Sequence, residues 1–295
     1  MKELDIKISY QCNNACIFCL NRDKKYQPTI SIDEAKRQID AFAKNGGEKL
    51  IVSGGEPIIS KNFFDLLVFA KEKGIKLLEI QTNARMLCYE KIVKKLKKFE
   101  PMTFLISFHF PNSRLYRKYC QADGFQQTVQ GIKNLVKYNC KFGINTVLMK
   151  PNFLYLKTMI KMLRNMGVRN VQYRFIDGKN VIKDYKKFVP RYKDCQSSVE
   201  EIIKENKDLN LFLREIPICV LGKESREHLA PLLNHRRLNF NSGRGLMLTK
   251  DIEASQFIFP NCKNCIYKIN CQGVRKEYAQ IYGNKEFKPI TIVKN

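Results

Sequence analysis

Short runs of β-branched and aromatic residues alternate along this chain with longer stretches in which apolar residues return every third or fourth position, the spacings of strands and amphipathic helices. Leu4 to Tyr10 predicts a first strand. A helix is predicted from Ser31, where Ser31 and Glu34 match a capping box and Ile32, Ala35, Ile39, Phe42 and Ala43 make a buried stripe, to a stop at Asn45, Gly46 and Gly47. Lys49 to Ser53 predicts strand two, Phe63 to Lys73 its helix, and Lys76 to Gln81 strand three, followed by a helix holding the lysine run Lys91 to Lys98. Strand four is Thr103 to Phe108, with a helix from about Gln126 to Tyr138. Strand five is Lys141 to Leu148, with a helix after Pro151 to about Met166, and strand six is Asn170 to Phe175.

Six strand-helix units in series predict an α/β fold, a parallel sheet with its helices outside. Six is short of the eight of a closed barrel, so the expected shape is a partial (β/α)6 barrel, open on one side to a large substrate. Beyond Pro190 the alternation fails, and a helix near Ser198 to Asn206 leads into an irregular tail. The expected division is a core domain over residues 1–208 and a small cysteine-rich domain over residues 209–295.

Composition narrows the class. The 295 residues are 44% hydrophobic and 27% charged, as in a folded globular chain rather than a disordered one. MKELDIKISY is not a signal peptide, and no run nears the ~18 apolar residues of a membrane span, so a cytoplasmic protein with no membrane partner is expected. Eleven cysteines in a reducing compartment argue for metal ligation over disulfides. A net charge of +25 suggests an anionic partner, although the densest lysine run places Ile92, Val93, Leu96 and Phe99 at helical spacing and reads as the wet face of an ordinary helix.

Candidate chemistry gathers at predicted strand ends, where parallel strand-helix sheets keep their functional loops. Cys12, Cys16 and Cys19 follow strand one in the stretch CNNACIFC. Three thiolates hold three corners of a cubane 4Fe-4S cluster and leave one iron open to an outside ligand. Structural zinc is the alternative, but it wants a closed tetrahedral shell, and none of the three histidines, His109, His228 and His235, lies nearby in sequence. After strand two comes GGEP: Gly54 and Gly55 allow close backbone approach, Pro57 fixes the turn, and Glu56 with nearby carbonyls offers acceptors, which suits an ammonium. Gln81, Thr82 and Asn83 follow strand three; Ser107, Phe108 and His109 follow strand four. Turn hydrogen bonding would explain Asn83 and Ser107 equally well. His109 reads as a packing or turn residue, and Cys88 and Cys140, with apolar neighbours, as core.

The CxxxCxxC spacing with Phe18 before its third cysteine, followed one strand later by GGEP, resembles the radical S-adenosylmethionine (SAM) superfamily. That resemblance implies a 4Fe-4S cluster on Cys12, Cys16 and Cys19 whose open iron chelates SAM. It implies further that Gly54, Gly55, Glu56 and Pro57 hold the methionyl amino group, that Phe18 neighbours the adenine, and that Ser107 and Asn145 lie near SAM. Thr82 and Asn83 match a TNG turn in which Ala84 replaces the glycine. Cys120 falls where many relatives carry a basic or hydroxyl residue, which leaves the SAM carboxylate contact unassigned. A one-electron reductant of the flavodoxin or ferredoxin type is implied, together with cleavage of SAM to methionine and a 5'-deoxyadenosyl radical that takes hydrogen from a substrate.

The tail carries Cys262, Cys265 and Cys271 in CKNCIYKINCQG. A fourth ligand is needed, with Cys219 the first candidate and Cys195 the reserve; four cysteines could close a zinc site or hold a second 4Fe-4S cluster. The segment resembles the auxiliary-cluster tails called twitch or SPASM domains, and its short cysteine set resembles the one-cluster twitch form. By that resemblance the expected substrate is a peptide or protein, although strand one begins almost at once and no leader-binding domain is expected ahead of it. RNA or a nucleotide-type substrate is the alternative suggested by charge, and a non-catalytic metal-cluster scaffold or carrier is a third, disfavoured by the GGEP turn.

Overall fold

The computed structural model describes residues 1–24, 30–229, 237–241, 245–247, 256–269, 271 and 273–291. His235 and much of the predicted tail before Gln256 lie outside the described residues.

Seven strands pair in parallel in their order along the chain: β1 (Glu3–Ser9), β2 (Lys49–Gly54), β3 (Leu77–Thr82), β4 (Met102–Ser107), β5 (Lys141–Leu148), β6 (Asn170–Phe175) and β7 (Asn210–Arg214). Between them run α1 (Ile32–Lys44), α2 (Phe63–Glu72), α3 (Glu90–Lys97), α4 (Ser113–Cys120), α5 (Phe125–Lys137), α6 (Lys150–Phe153), α7 (Leu156–Asn165), α8 (Tyr185–Phe188) and α9 (Tyr192–Glu205). Every crossover reaches the adjacent strand, so the sheet rolls one way into the expected partial barrel. At the other edge β8 (Arg237–Asn241) lies parallel to β1, and β9 (Gly245–Met247) antiparallel to β8. Among the described residues no strand joins β7 to β9.

Alternation sets the two faces of the sheet. On β6, Val171, Tyr173 and Phe175 are buried in the core under the helices, while Asn170, Gln172 and Arg174 share the opposite, inner face. α1 is amphipathic for the same reason: Ala35, Ile39 and Phe42 recur on one stripe against the sheet. Ile39 is wholly buried, a placement that contributes about 1.5–3 kcal/mol, and a charge there would break the packing. α3 buries Val93 and Leu96 and leaves Lys91, Lys94, Lys95 and Lys98 exposed, which is the wet face expected of the lysine run.

Several expectations change. Ser31 caps α1 by accepting from the Glu34 N–H at 3.1 Å, but the Glu34 carboxylate turns to Arg37 and Gln38, so only half of the capping box forms. The helix predicted after Pro151 is two helices, α6 and α7, broken at Leu154 and Tyr155. Cys88 is half-buried at the end of a 3-10 turn rather than in the core, and Cys140 lies only at the core's margin. A seventh parallel strand, β7, continues the sheet past residue 208.

The tail folds as a two-stranded antiparallel pair, β10 (Gln256–Phe257) with β11 (Val274–Arg275), followed by α10 (Lys276–Tyr282). It docks on α9 through aromatic rings. Tyr278 is wholly buried, its hydroxyl accepting the Tyr192 N–H at 3.0 Å and donating to Glu286 at 2.5 Å, and Phe287 stacks on Phe259 with centroids 5.3 Å apart.

Candidate active site

Cys12, Cys16 and Cys19 occupy the loop leaving β1, and that loop is fixed on every side by this chain's own bonds. Ala15 and Ile17, flanking Cys16, donate their N–H groups to the carbonyls of Cys120 and Tyr119 at 2.9 and 3.0 Å, so the end of α4 carries the loop as a strand would. Arg85 donates to Asn13 O and, at 2.9 Å, to Asn14 Oδ1, while its Nε is held by Gln127 at 2.7 Å. Asn83 Nδ2 donates to Asn13 Oδ1 at 2.7 Å and lies 3.8 Å from Cys12 Sγ. Asn180 donates to the Cys19 carbonyl at 2.5 Å.

GGEP docks directly on this loop. Gly55 N–H donates to Ser9 O at 2.7 Å and Glu56 N–H to Gln11 O at 2.8 Å. Glycine is required: Gly54 has φ +125°, and a Cβ on Gly54 or Gly55 would fall 2.2 Å from Ser9 O or 2.0 Å from Gln11 O. Glu56 is wholly buried, and its carboxylate accepts from Ile58 N–H at 3.2 Å, Thr82 Oγ1 at 2.7 Å and Asn83 N–H at 2.8 Å. The side chain therefore ties the end of β2 to the end of β3, and its oxygens are taken up by donors of the protein itself. Burial pushes the Glu56 carboxyl up to about 7, against those three donors. Ala84 sits in the left-handed region at φ 62° with its N–H on Thr82 Oγ1, a conformation that a glycine would reach without strain.

Phe18 is buried edge-on against His109, centroids 5.1 Å apart. His109 Nδ1 accepts from Val147 N–H at 3.2 Å, which leaves the proton of the neutral ring on Nε2, and burial pushes its pKa down to about 4. It packs and braces, as the sequence suggested. Ser107 pairs in register with Asn145, whose Oδ1 accepts from Gln172 Nε2 at 2.8 Å, giving a polar row across the inner face of β4, β5 and β6. Cys120 is buried, with its carbonyl given to the loop.

The residues fit an iron-sulfur cluster. Cys12 and Cys19 thiols accept N–H groups from Asn14 and Asn21, both at 3.4 Å, donors that favour the thiolate, whereas burial pushes the free Cys12 thiol up to about 12, a cost that a bound metal removes. Among the described residues no three Cys, His, Asp or Glu side chains converge on a single ion, at this loop or in the tail.

In the tail, Cys219, Cys262, Cys265 and Cys271 line one cavity with Phe257, Phe259 and Phe287. The cavity between them is small, about 30 Å³, and its walls are mostly apolar. Cys195 is buried in α9 and does not line it. Sequence reasoning did not find Arg85, Asn21 or Asn180, whose partners lie far away along the chain; Asn21 donates to Gly54 O at 2.8 Å.

Among the described residues no helix is long and apolar enough to cross a membrane. The chain is 26% identical over 164 residues to a protein named AdoMet-dependent heme synthase of Oleidesulfovibrio alaskensis, covering 55% of this chain and 42% of that one. It is 29% identical over 186 residues to a GTP 3',8-cyclase of Mannheimia succiniciproducens, covering 59% and 52%. This chain thus spans about half the length of these curated relatives. The fold matches Streptococcus suis SuiB bound to S-adenosylmethionine with a TM-score of 0.70 and 15% identity, over 99% of this chain and 77% of that one. SuiB has also been solved bound to its precursor peptide SuiA. Residues 6–163 match the family model described as the radical SAM superfamily, and with the cysteine loop, the glycine turn and strands β2 to β5 of the rolled sheet inside that span, the chain belongs to the radical SAM superfamily.

Proposed function

We propose that this chain is an enzyme that reductively cleaves SAM and uses the product to modify a peptide or protein. One observation carries the reading: the loop that leaves β1 at Ser9 and runs through Cys12–Cys19, the Gly54–Glu56 turn and the Thr82–Asn83 turn are hydrogen-bonded to one another at the carboxyl ends of β1, β2 and β3. When bound, a 4Fe-4S cluster and SAM supply one-electron cleavage to methionine and a 5'-deoxyadenosyl radical. Cys12, Cys16 and Cys19 hold the cluster, carbonyls of the Gly54–Glu56 turn take the amino group, and Phe18 borders the adenine. Ser107 and Asn145 border the same space from β4 and β5. Arg85 and Asn83 act through the loop, holding the thiols in place.

Cys219, Cys262, Cys265 and Cys271 hold a second 4Fe-4S cluster in a tail of the twitch or SPASM type. Their lining of one shared cavity supports a common metal site, and the likeness of CKNCIYKINCQG to auxiliary-cluster tails favours iron-sulfur over zinc there. The peptide reading draws support from the fold shared with SuiB, the nucleotide alternative from the GTP 3',8-cyclase relative and the charge of +25. A one-electron reductant of flavodoxin or ferredoxin type completes the partners.

The test is anaerobic reconstitution, iron counting, electron paramagnetic resonance with and without SAM, and assay of 5'-deoxyadenosine. Two clusters require about eight irons per chain. A spectrum unmoved by SAM, or zinc at Cys12–Cys19, would overturn the reading. Binding of tRNA that weakens steeply with salt would favour the nucleic-acid alternative.

A further inference from the structure

Arg174 stands at the carboxyl end of β6, two residues beyond Gln172 and on the same inner face. It donates to Glu215 Oε1 at 2.5 Å, and 38% of its side chain is exposed. A guanidinium has five N–H donors, and this contact uses one. Its register partner on β7 is Arg214, and Phe212, on that same inner face, is 42% exposed. Like charges directly opposite on neighbouring strands repel, and the Glu215 carboxylate, which feels both guanidiniums, offsets part of that repulsion.

Counter-charge at this mouth is limited. Glu215, itself at φ 59°, is shared with Arg275 at 3.2 Å, and Arg275 also pairs with Asp177 at 2.9 Å. Deeper on the inner face the cations are already engaged: Lys7 with Asp5 at 3.0 Å, and Lys49 with Glu3 at 3.1 Å and Glu79 at 2.7 Å. A polyphosphate would meet Asp177 and Glu215 beside Arg174 and find those two lysines committed. One carboxylate on a short aliphatic stem meets a planar fork and an exposed ring.

We propose that Arg174, beside Arg214 and Phe212, forms a subsite that binds a single carboxylate of the peptide substrate, an acidic side chain or the chain terminus. This rests on the peptide reading above and names the group recognised. Arg174 lies two strands from Ser107, roughly 10 Å across the sheet, which leaves room for the reacting residue between this anchor and the SAM site.

The test uses ligand-observed NMR on the anaerobically reconstituted chain with two probes, N-acetyl-Gly-Glu-Gly-amide and N-acetyl-Gly-Gln-Gly-amide, and GTP as a third. The glutamate peptide is expected to bind about tenfold more tightly than its glutamine twin, the worth of one charge-assisted contact. Arg174→Gln should erase that preference, and Glu215→Gln, which removes the competing carboxylate while keeping Arg174, should enlarge it. The opposite signs of the two substitutions separate recognition from general damage to the fold. Equal binding of the two peptides, no binding of either, a preference that survives Arg174→Gln, or GTP binding more tightly through Arg174 would each overturn the proposal. Because binding is read without turnover, absence of 5'-deoxyadenosine in the unsubstituted chain would sink the SAM-cleavage reading separately.

Discussion

At the front of the barrel the cysteine loop is tied to the Gly54–Gly55 turn, the end of α4, Asn83, Arg85 and Asn180, whereas the tail cysteines ride on short turns closed largely from within. Cys262 closes its turn on Phe259 O and Cys265 on Cys262 O, and the cavity they face is walled by aromatic rings that offer little polar bracing. A site braced by the fold keeps its shape before its ligand arrives; a site on small turns takes much of its shape from the ligand. The front thus resembles a preorganised reaction centre and the tail a staple.

Cysteine substitutions break this comparison most severely. Cys16→Ala should reduce 5'-deoxyadenosine to background while the tail keeps its iron, about four per chain. Cys265→Ala should leave the front cluster and its response to SAM, and lose protection of amides in residues 256–291 from hydrogen exchange. Equal loss of deoxyadenosine in both would show that the sites are not separable as the bonding suggests.

Acidity sharpens the contrast, because two deeply buried titratable groups lie beside the front site and titrate in opposite senses. Glu56 keeps its proton in the fold to about pH 7, while the unfolded chain releases it near 4.5; its contribution is full below 4.5 and is lost as pH rises through 7. His109 is pushed down to about 4, from 6.5 in the unfolded chain; its contribution is full above 6.5 and is lost as pH falls toward 4. Each amounts to about 3 kcal/mol at most, and together they flatten the stability profile between pH 4.5 and 6.5. In urea titrations Glu56→Gln should make stability rise with pH across that window, and His109→Gln should make it fall. A profile that tilts the same way in both variants would contradict the burial of one of them.

Arg85 comes next in size. Arg85→Met keeps the aliphatic stem and removes bonds to Asn13, Asn14 and Gln127, an expected loss of about 2 kcal/mol. The loss should appear as poorer cluster retention at Cys12–Cys19, read by iron release to a chelator, with tail iron unchanged. Equal release from both sites would make Arg85 a general stabiliser rather than a brace for the loop.

How much of this was legible depended on the range of the interaction. Strands β5 and β6 were readable to the residue because Val, Ile and Phe alternate there with polar positions. α4 was not, since SRLYRKYC is mostly polar and charged and shows only Leu115, Tyr116 and Cys120 to the core. Its C-terminal carbonyls nevertheless carry the cysteine loop from about a hundred positions away. β7 was hidden by its brevity, and with it the Arg174–Arg214 register. Motif residues announced themselves by chemistry; Arg85, Asn180 and Glu215 act through partners that sequence spacing does not reveal.

Ala84 gives the smallest effect and a direct test of how the front site is held. A non-glycine residue in the left-handed region costs about 1 kcal/mol, and glycine there would relieve it. The Ala84 methyl, however, is wholly buried in the core, worth about 0.8 kcal/mol, and glycine adds freedom to the unfolded chain. These contributions nearly cancel, so Ala84→Gly should shift unfolding free energy by no more than about 0.5 kcal/mol. Ala84→Val retains the strain, adds a β-branched side chain to a filled pocket, and should cost about 2 kcal/mol or more. A gain near 1 kcal/mol in Ala84→Gly would mean that the methyl packs poorly and that hydrogen bonds from Thr82 and Asn83 alone hold this turn.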